Sequence, residues 1–187
     1  MEPIKIIAIV GSLRRDSLNR QLAMEAGRLL ASQAQFELLE YSDVPLFNQD
    51  YEHLAPDPVR RVREQILAAD GIWIFTPEYN HFFPGVLKNL LDWLSRPVSE
   101  TEPNVLRGKP VVISGITPGM SGTGLAQDHL ITLLSILNMR VMTQPRVTIP
   151  YAMQQMDSSG HLSLSSSAAF LEKQANDFVW FVRSGMG

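Results

Sequence analysis

The sequence predicts one α/β domain, a three-layer sandwich whose middle layer is a five-stranded parallel sheet. Three observations carry this reading. Short β-branched runs bounded by Gly or Pro alternate along the chain with amphipathic segments of helical period. The runs are apolar throughout, which suits strands covered on both faces. The length, 187 residues without an internal repeat, suits one domain that builds its own core.

The elements follow in order. The run Ile4–Val10 is the first strand. A helix beginning near Ser17 presents Leu18, Leu22, Ala26, Leu29 and Leu30 on one face. Residues 36–41 form a second strand with weaker alternation. Asp57 reads as an N-cap with Pro58 in the first helical position, and Val59, Val62, Ile66 and Leu67 form the buried stripe of that helix. Residues 71–76 are the third strand. Pro84 opens a third helix with Val86, Leu87, Leu90, Leu91 and Leu94 facing inward, and Lys88 and Asp92 stand at the spacing of a surface ion pair. Residues 110–114 make the fourth strand, 124–138 the fourth helix and 139–143 the fifth strand. A last helix follows three serines at 165–167 and turns Leu171, Ala175, Phe178 and Val182 to one side. Segments 42–56 and 96–109, polar and Pro-containing, are rim loops. Alternating strands and helices in this number fit a doubly wound, flavodoxin-like sheet in the order 2-1-3-4-5, with residues 1–187 as a single domain.

Composition narrows the function. The chain has no Cys, which excludes disulfides, thiolate metal sites and a cysteine nucleophile. A net charge of −3 argues against a nucleic-acid binder, whose phosphate contacts need clustered Lys and Arg. No apolar run approaches the ~20 residues of a membrane span, and the N-terminal run lacks the basic flank of a signal peptide. A soluble cytoplasmic protein without nucleic-acid or membrane partners is expected. The four His are scattered, with no metal-ligand spacing. Neither G-x-G-x-x-G nor a P-loop occurs.

In a doubly wound sheet, ligands bind beyond the carboxyl ends of the strands, where the first and third strands part. The loop after the first strand runs from Gly11 to Asn19. Ser12, Ser17 and Asn19 offer side-chain donors, Arg14 or Arg15 offers positive charge, and the helix start offers backbone N–H groups. Together these suit a phosphate monoester. The alternative is a Ser17 that only caps its helix beside solvated arginines. The loop after the third strand, 76–85, is stiffened by Pro77 and Pro84, and a planar heteroaromatic ring can lie against Tyr79. The loop 114–124 carries glycines at 115, 119, 122 and 124, which permit close backbone approach to a flat ligand.

Three motifs then resemble one family. They are Gly11-Ser12-Leu13-Arg14-x-x-Ser17-x-Asn19-Arg20, Thr76-Pro77-Glu78-Tyr79-Asn80 and Leu87-Lys88-Asn89-x-x-Asp92-Trp93. In order and register they look like the NADPH-dependent FMN reductases, a family that includes quinone, azo-dye and chromate reductases. Residues 44–50 and 108–110 also match the pattern, and the resemblance covers about residues 4–140. It implies FMN as cofactor and NADPH or NADH as hydride donor. Ser12, Arg14, Ser17, Leu18 (through its backbone) and Asn19 would hold the phosphate. Pro77, Glu78, Tyr79 and Asn80 would line the isoalloxazine ring, and Gly115, Ile116 and Thr117 would close the other side. It also implies a small-molecule electron acceptor, a homodimer or homotetramer, and a subunit contact near the helix that carries Trp93. The sequence departs from the pattern at Thr123, Gly124 and Leu125, where Gly, a small residue and Arg are common, and at Phe82 and Phe83, where small residues are frequent. The implied function is hydride transfer through FMN with no obligate side-chain acid or base. A flavodoxin-type electron carrier and a flavin-binding sensor are the rivals.

Overall fold

Strands with apolar side chains on both faces need a helical layer on each side, and the chain supplies two. The computed structural model describes residues 3–99 and 102–186. Its elements are β1 (Ile4–Val10), α1 (Leu18–Leu30), β2 (Ala34–Leu38), α2 (Asp57–Leu67), β3 (Gly71–Phe75), α3 (Gly85–Leu94), β4 (Pro110–Ile116), α4 (Gly124–Ile136), β5 (Arg140–Ile149) and α5 (Ala168–Arg183). The strands form one sheet in the order β2-β1-β3-β4-β5, and every pairing is parallel. This is the flavodoxin-like arrangement the sequence predicts. Ile6, Ala8 and Val10 of β1 pack with α1 and α5 on one face. Ile7 and Ile9 pack with α2, α3 and α4 on the other. Among the described residues no helix is long and apolar enough to cross a membrane.

Several boundaries differ from expectation, each for a physical reason. β2 ends at Leu38, not at Tyr41. The chain there leaves the sheet to bury Leu39 and Tyr41, and the Tyr41 hydroxyl donates to Val10 O at 2.5 Å. Burial, with the Glu40 charge nearby, pushes that phenol well above its usual range, so it stays a protonated donor. The N-cap of α2 is Pro56, one residue before Asp57. β4 runs through Gly115 to Ile116, and β5 continues to Ile149. Val112 pairs with Met142 and Ser114 with Val147, so residues 143–146 bulge out opposite Ile113 alone. A buried polar relay secures the bulge. Trp73 Nε1 donates to Ser114 Oγ at 2.8 Å, Ser114 Oγ donates to Gln174 Oε1, and Gln174 Nε2 donates to Pro145 O at 2.7 Å. Satisfied buried networks of this kind fix one arrangement of a core.

Helix α3 pins the long loop after β2. Asn89 accepts from Phe47 N at 2.7 Å and donates to Pro45 O at 2.9 Å, and Trp93 Nε1 donates to the same carbonyl at 2.8 Å. Trp93 is fully buried with its ring edge-on to Phe47, so the helix motif serves packing within the chain. The expected Lys88–Asp92 ion pair forms at 2.7 Å. Residues 100 and 101 of the 96–109 connection lie outside the described residues.

Candidate cofactor site

Beyond Val10 and Phe75, which are register partners, β1 and β3 separate, and a cleft opens between their loops. Gly11 N still bonds Phe75 O at 2.8 Å, and the chain then turns away into the first loop. One wall is built from Ser12, Arg14, Ser17, Leu18 and Asn19, a second from Pro77, Glu78 and Tyr79, and a third from Ile116, Thr117 and Pro118. The structure thus brings together most of the expected residues from three separate loops. Asn80 and Gly115 are placed elsewhere, and Pro118 joins the wall.

The first wall is built around the N-terminus of α1. Ser17 is the N-cap, and its Oγ accepts from Arg20 N at 3.3 Å. Gln21 N is taken by Ser17 O. The N–H groups of Leu18 and Asn19 come before any intrahelical acceptor, and the helix dipole adds partial positive charge. Arg14 is exposed, and its Nη2 donates to Asp16 O at 2.6 Å, which holds the guanidinium at the loop.

Asn19 does something the motif alone did not show. β3 ends at Phe75, so the end of β4 lacks a strand neighbour on that side. The buried Asn19 amide takes the neighbour's place: Nδ2 donates to Ile116 O at 3.0 Å and Oδ1 accepts from Ile116 N at 3.1 Å. Its side chain ties α1 to β4.

The second wall is a two-residue hairpin. Tyr79 and Phe82 exchange both backbone hydrogen bonds, at 2.9 and 3.0 Å. Asn80 and His81 occupy the turn with φ of 53° and 61°. Paired positive φ values define the tight turn that matches strand twist, and Asn tolerates the first of them well. The turn carries the Asn80 side chain out of the cleft lining and leaves Tyr79 half exposed at its edge. The Glu78 side chain is 4% exposed and turned toward α4, where its Oε2 accepts from Ala126 N at 3.1 Å. Burial pushes this carboxyl up. The Ala126 N–H, the Ser121 hydroxyl, His81 and the Leu125 N–H together outweigh that and hold it below the usual carboxylate range.

The third wall starts one residue later than the sequence placed it. Gly115 lies inside β4 with no room for a side chain: a Cβ would stand 2.5 Å from Thr76 O and 2.0 Å from Thr123 Oγ1. Thr123 is itself buried, with φ of 71°, a strained setting for a β-branched residue. Its Oγ1 accepts from Gln127 Nε2 at 3.0 Å. Arg146 completes this corner through Gln127 Oε1, Gly124 O and Asp128. Pro118 is the lining residue that sequence reasoning passed over, and Ser121, beside the Glu78 carboxylate, supports the second wall without lining the cleft. Only Pro118, inside Thr117-Pro118-Gly119, carried a local signal.

The family model for NADPH-dependent FMN reductase matches residues 4–154. A 2-hydroxy-1,4-benzoquinone reductase from a Burkholderia species is 39% identical over 180 residues, 96% of this chain and 97% of its own. An NAD(P)H-dependent FMN reductase from Pseudomonas aeruginosa is 38% identical over 183 residues, 97% of each chain. Among solved structures, the flavoenzyme NAD(P)H:(acceptor) oxidoreductase FerB from Paracoccus denitrificans superimposes with a TM-score of 0.87 at 32% identity, covering 97% of this chain and 98% of its own. The chain belongs to the NADPH-dependent FMN reductase family of oxidoreductases.

Proposed function

We propose that the chain, acting as one domain over residues 1–187, is an FMN-containing oxidoreductase that passes hydride from NADPH or NADH to a small-molecule acceptor, a quinone first and azo compounds or free flavins besides. The observation that carries this reading is the convergence of the three walls on one cleft at the parting of β1 and β3. The residues there fit a flavin mononucleotide. The N–H groups of Leu18 and Asn19, the hydroxyls of Ser12 and Ser17 and the Arg14 guanidinium suit its phosphate. Pro77, Tyr79, Ile116 and Thr117 offer apolar and backbone surface to a flat ring. The chemistry FMN supplies when bound is hydride acceptance from the nicotinamide and delivery of two electrons to the acceptor.

The protein's part is to bind, orient and exclude. Arg14 balances the phosphate charge, steadied by the Asp16 carbonyl. The Tyr79 N–H is spent on Phe82 O, so of the cleft-lining residues of this loop Glu78 is the one whose N–H is left to face a ring edge. No side chain is assigned as acid or base. Exposed Leu46, Leu54 and Met120, on the loops at the carboxyl end of the sheet, support self-association as a dimer or tetramer. A cytoplasmic location follows the supply of reduced nicotinamide.

The test compares wild type with Arg14→Ala. A charge-assisted hydrogen bond is worth about 1.5–3 kcal/mol, and an exposed one sits at the low end. FMN dissociation constants read from flavin fluorescence are expected to rise about tenfold in the variant. NADPH oxidation with 1,4-benzoquinone at saturating FMN is expected to stay within about twofold. Unchanged FMN affinity would remove Arg14 from the phosphate site. A wild type that binds FMN yet oxidises neither nucleotide with any acceptor would be a carrier or a sensor.

A further inference from the structure

The hairpin that carries Tyr79 is joined to α4 at two points. Helix α4 lacks a cap of its own: Thr123 at its N-cap position is left-handed and makes no capping hydrogen bond. The acceptor comes instead from 48 positions earlier in the chain. The Glu78 carboxylate takes the Ala126 N–H at 3.1 Å, with the Ser121 hydroxyl and the Leu125 N–H beside it. A carboxylate in this place also opposes the positive end of the helix dipole. The second join is aromatic. Phe82 stacks on buried Phe83 with ring centroids 4.5 Å apart and meets the His129 ring of α4, tilted by 34°, at 4.4 Å. The β3–β4 ladder ends at Phe75 and Ser114, with one more bond from Thr76 N to Ser114 O. Past that point the loops after β3 and β4 have no strand pairing to hold them together.

We propose that Glu78 is a positioning residue whose carboxylate fastens the wall of Pro77 and Tyr79 to the start of α4, and through it to the wall of Ile116, Thr117 and Pro118, so that both walls meet the cofactor as one rigid pair. The proposal rests on the FMN site described above and changes the part Glu78 plays there. Its side chain holds the ring site from behind and does not touch the ring. Phe82, clamped between Phe83 and His129, keeps the hairpin tip from swinging while Glu78 holds its base.

The experiment uses Glu78→Ala, the isosteric Glu78→Gln and, outside the cleft, Ser121→Ala. Amide hydrogen exchange is followed at Leu125, Ala126 and residues 117–123 in protein free of FMN, and FMN affinity is read separately by fluorescence. Glu78→Ala is expected to speed exchange at Leu125 and Ala126 at least tenfold and to weaken FMN binding about tenfold. In Glu78→Gln the side-chain carbonyl still accepts one N–H, so both effects are expected to fall below about threefold. Ser121→Ala is expected to move both readouts slightly in the same direction. Unchanged exchange in Glu78→Ala overturns the proposal. So does a Glu78→Gln variant that loses FMN as fully as Glu78→Ala while exchange at α4 stays slow, since the carboxylate would then act on the cofactor directly. If wild type binds no FMN, the exchange measurement still decides the fastening, and the failure belongs to the proposed cofactor.

Discussion

Gly115→Ala is expected to cost about 3 kcal/mol of stability and to weaken FMN binding more than tenfold. The added methyl would stand 2.5 Å from the Thr76 carbonyl, a backbone atom at the end of β3, and against Thr123 Oγ1 and Cβ. A flexible side chain could swing away, but the Thr76 backbone is held to β4 by its N–H to Ser114 O and Thr123 is buried and already strained. The strands must part or the 117–123 loop must shift, and overpacking of this kind costs about 1–3 kcal/mol or somewhat more. Either movement displaces Ile116 and Thr117 from the cleft. Urea denaturation and FMN titration check the two parts. Gly124→Ala is the control, because a Cβ there meets nothing within 4 Å, and it is expected to leave both readouts nearly unchanged. A Gly115→Ala protein within about 0.5 kcal/mol of wild type would mean the β3–β4 junction is far softer than its packing indicates.

Asn19→Ala is the second large effect. It removes both hydrogen bonds to Ile116 and leaves a buried N–H and C=O without partners. Each orphaned group costs about 1–3 kcal/mol, so a loss of about 3 kcal/mol is expected, seen as a fall in melting temperature of roughly 6–12 °C for a chain of this size. Asn19→Asp is expected to recover little, because a carboxylate can accept from Ile116 N but cannot donate to Ile116 O. If Asn19 acted only on the phosphate, its removal would lower FMN affinity and leave the melting temperature of the FMN-free protein unchanged.

These two residues show what a sequence can and cannot disclose. Periodicity located the five α-helices and five strands of the described residues, because a buried stripe on a helix and an apolar run in a central strand follow from local geometry, but not the short 3-10 helices at Gln49–Tyr51 and Ala152–Gln155. It placed the ends less well where tertiary contacts set them. The Tyr41 hydroxyl reaching Val10 O stops β2 early. The Gln174 relay lets β5 resume past the bulge at 143–146, whereas the sequence ends the strand at residue 143. The site followed the same division. Ser17 as a helix cap and the converging first and third loops were legible, because capping chemistry and the doubly wound topology place them. Whether a polar side chain faces a ligand or the protein was not legible. Asn19 and Glu78 both carry donor or acceptor groups in the right loops, and both spend them on backbone 48 residues or more away. Gly115 in a glycine-rich stretch suggested room for a ligand, whereas the room is taken by Thr76 and Thr123.

In the proposed function the parting of β1 and β3 holds FMN and makes it reducible by a nicotinamide nucleotide. Its most direct test is an anaerobic titration of the FMN-loaded protein with NADPH, followed by visible absorption. Loss of the flavin band at near-stoichiometric NADPH, and its return on adding 1,4-benzoquinone, is the predicted result. A protein that retains no flavin after gel filtration, or whose flavin band persists under excess NADPH and NADH alike, would contradict it.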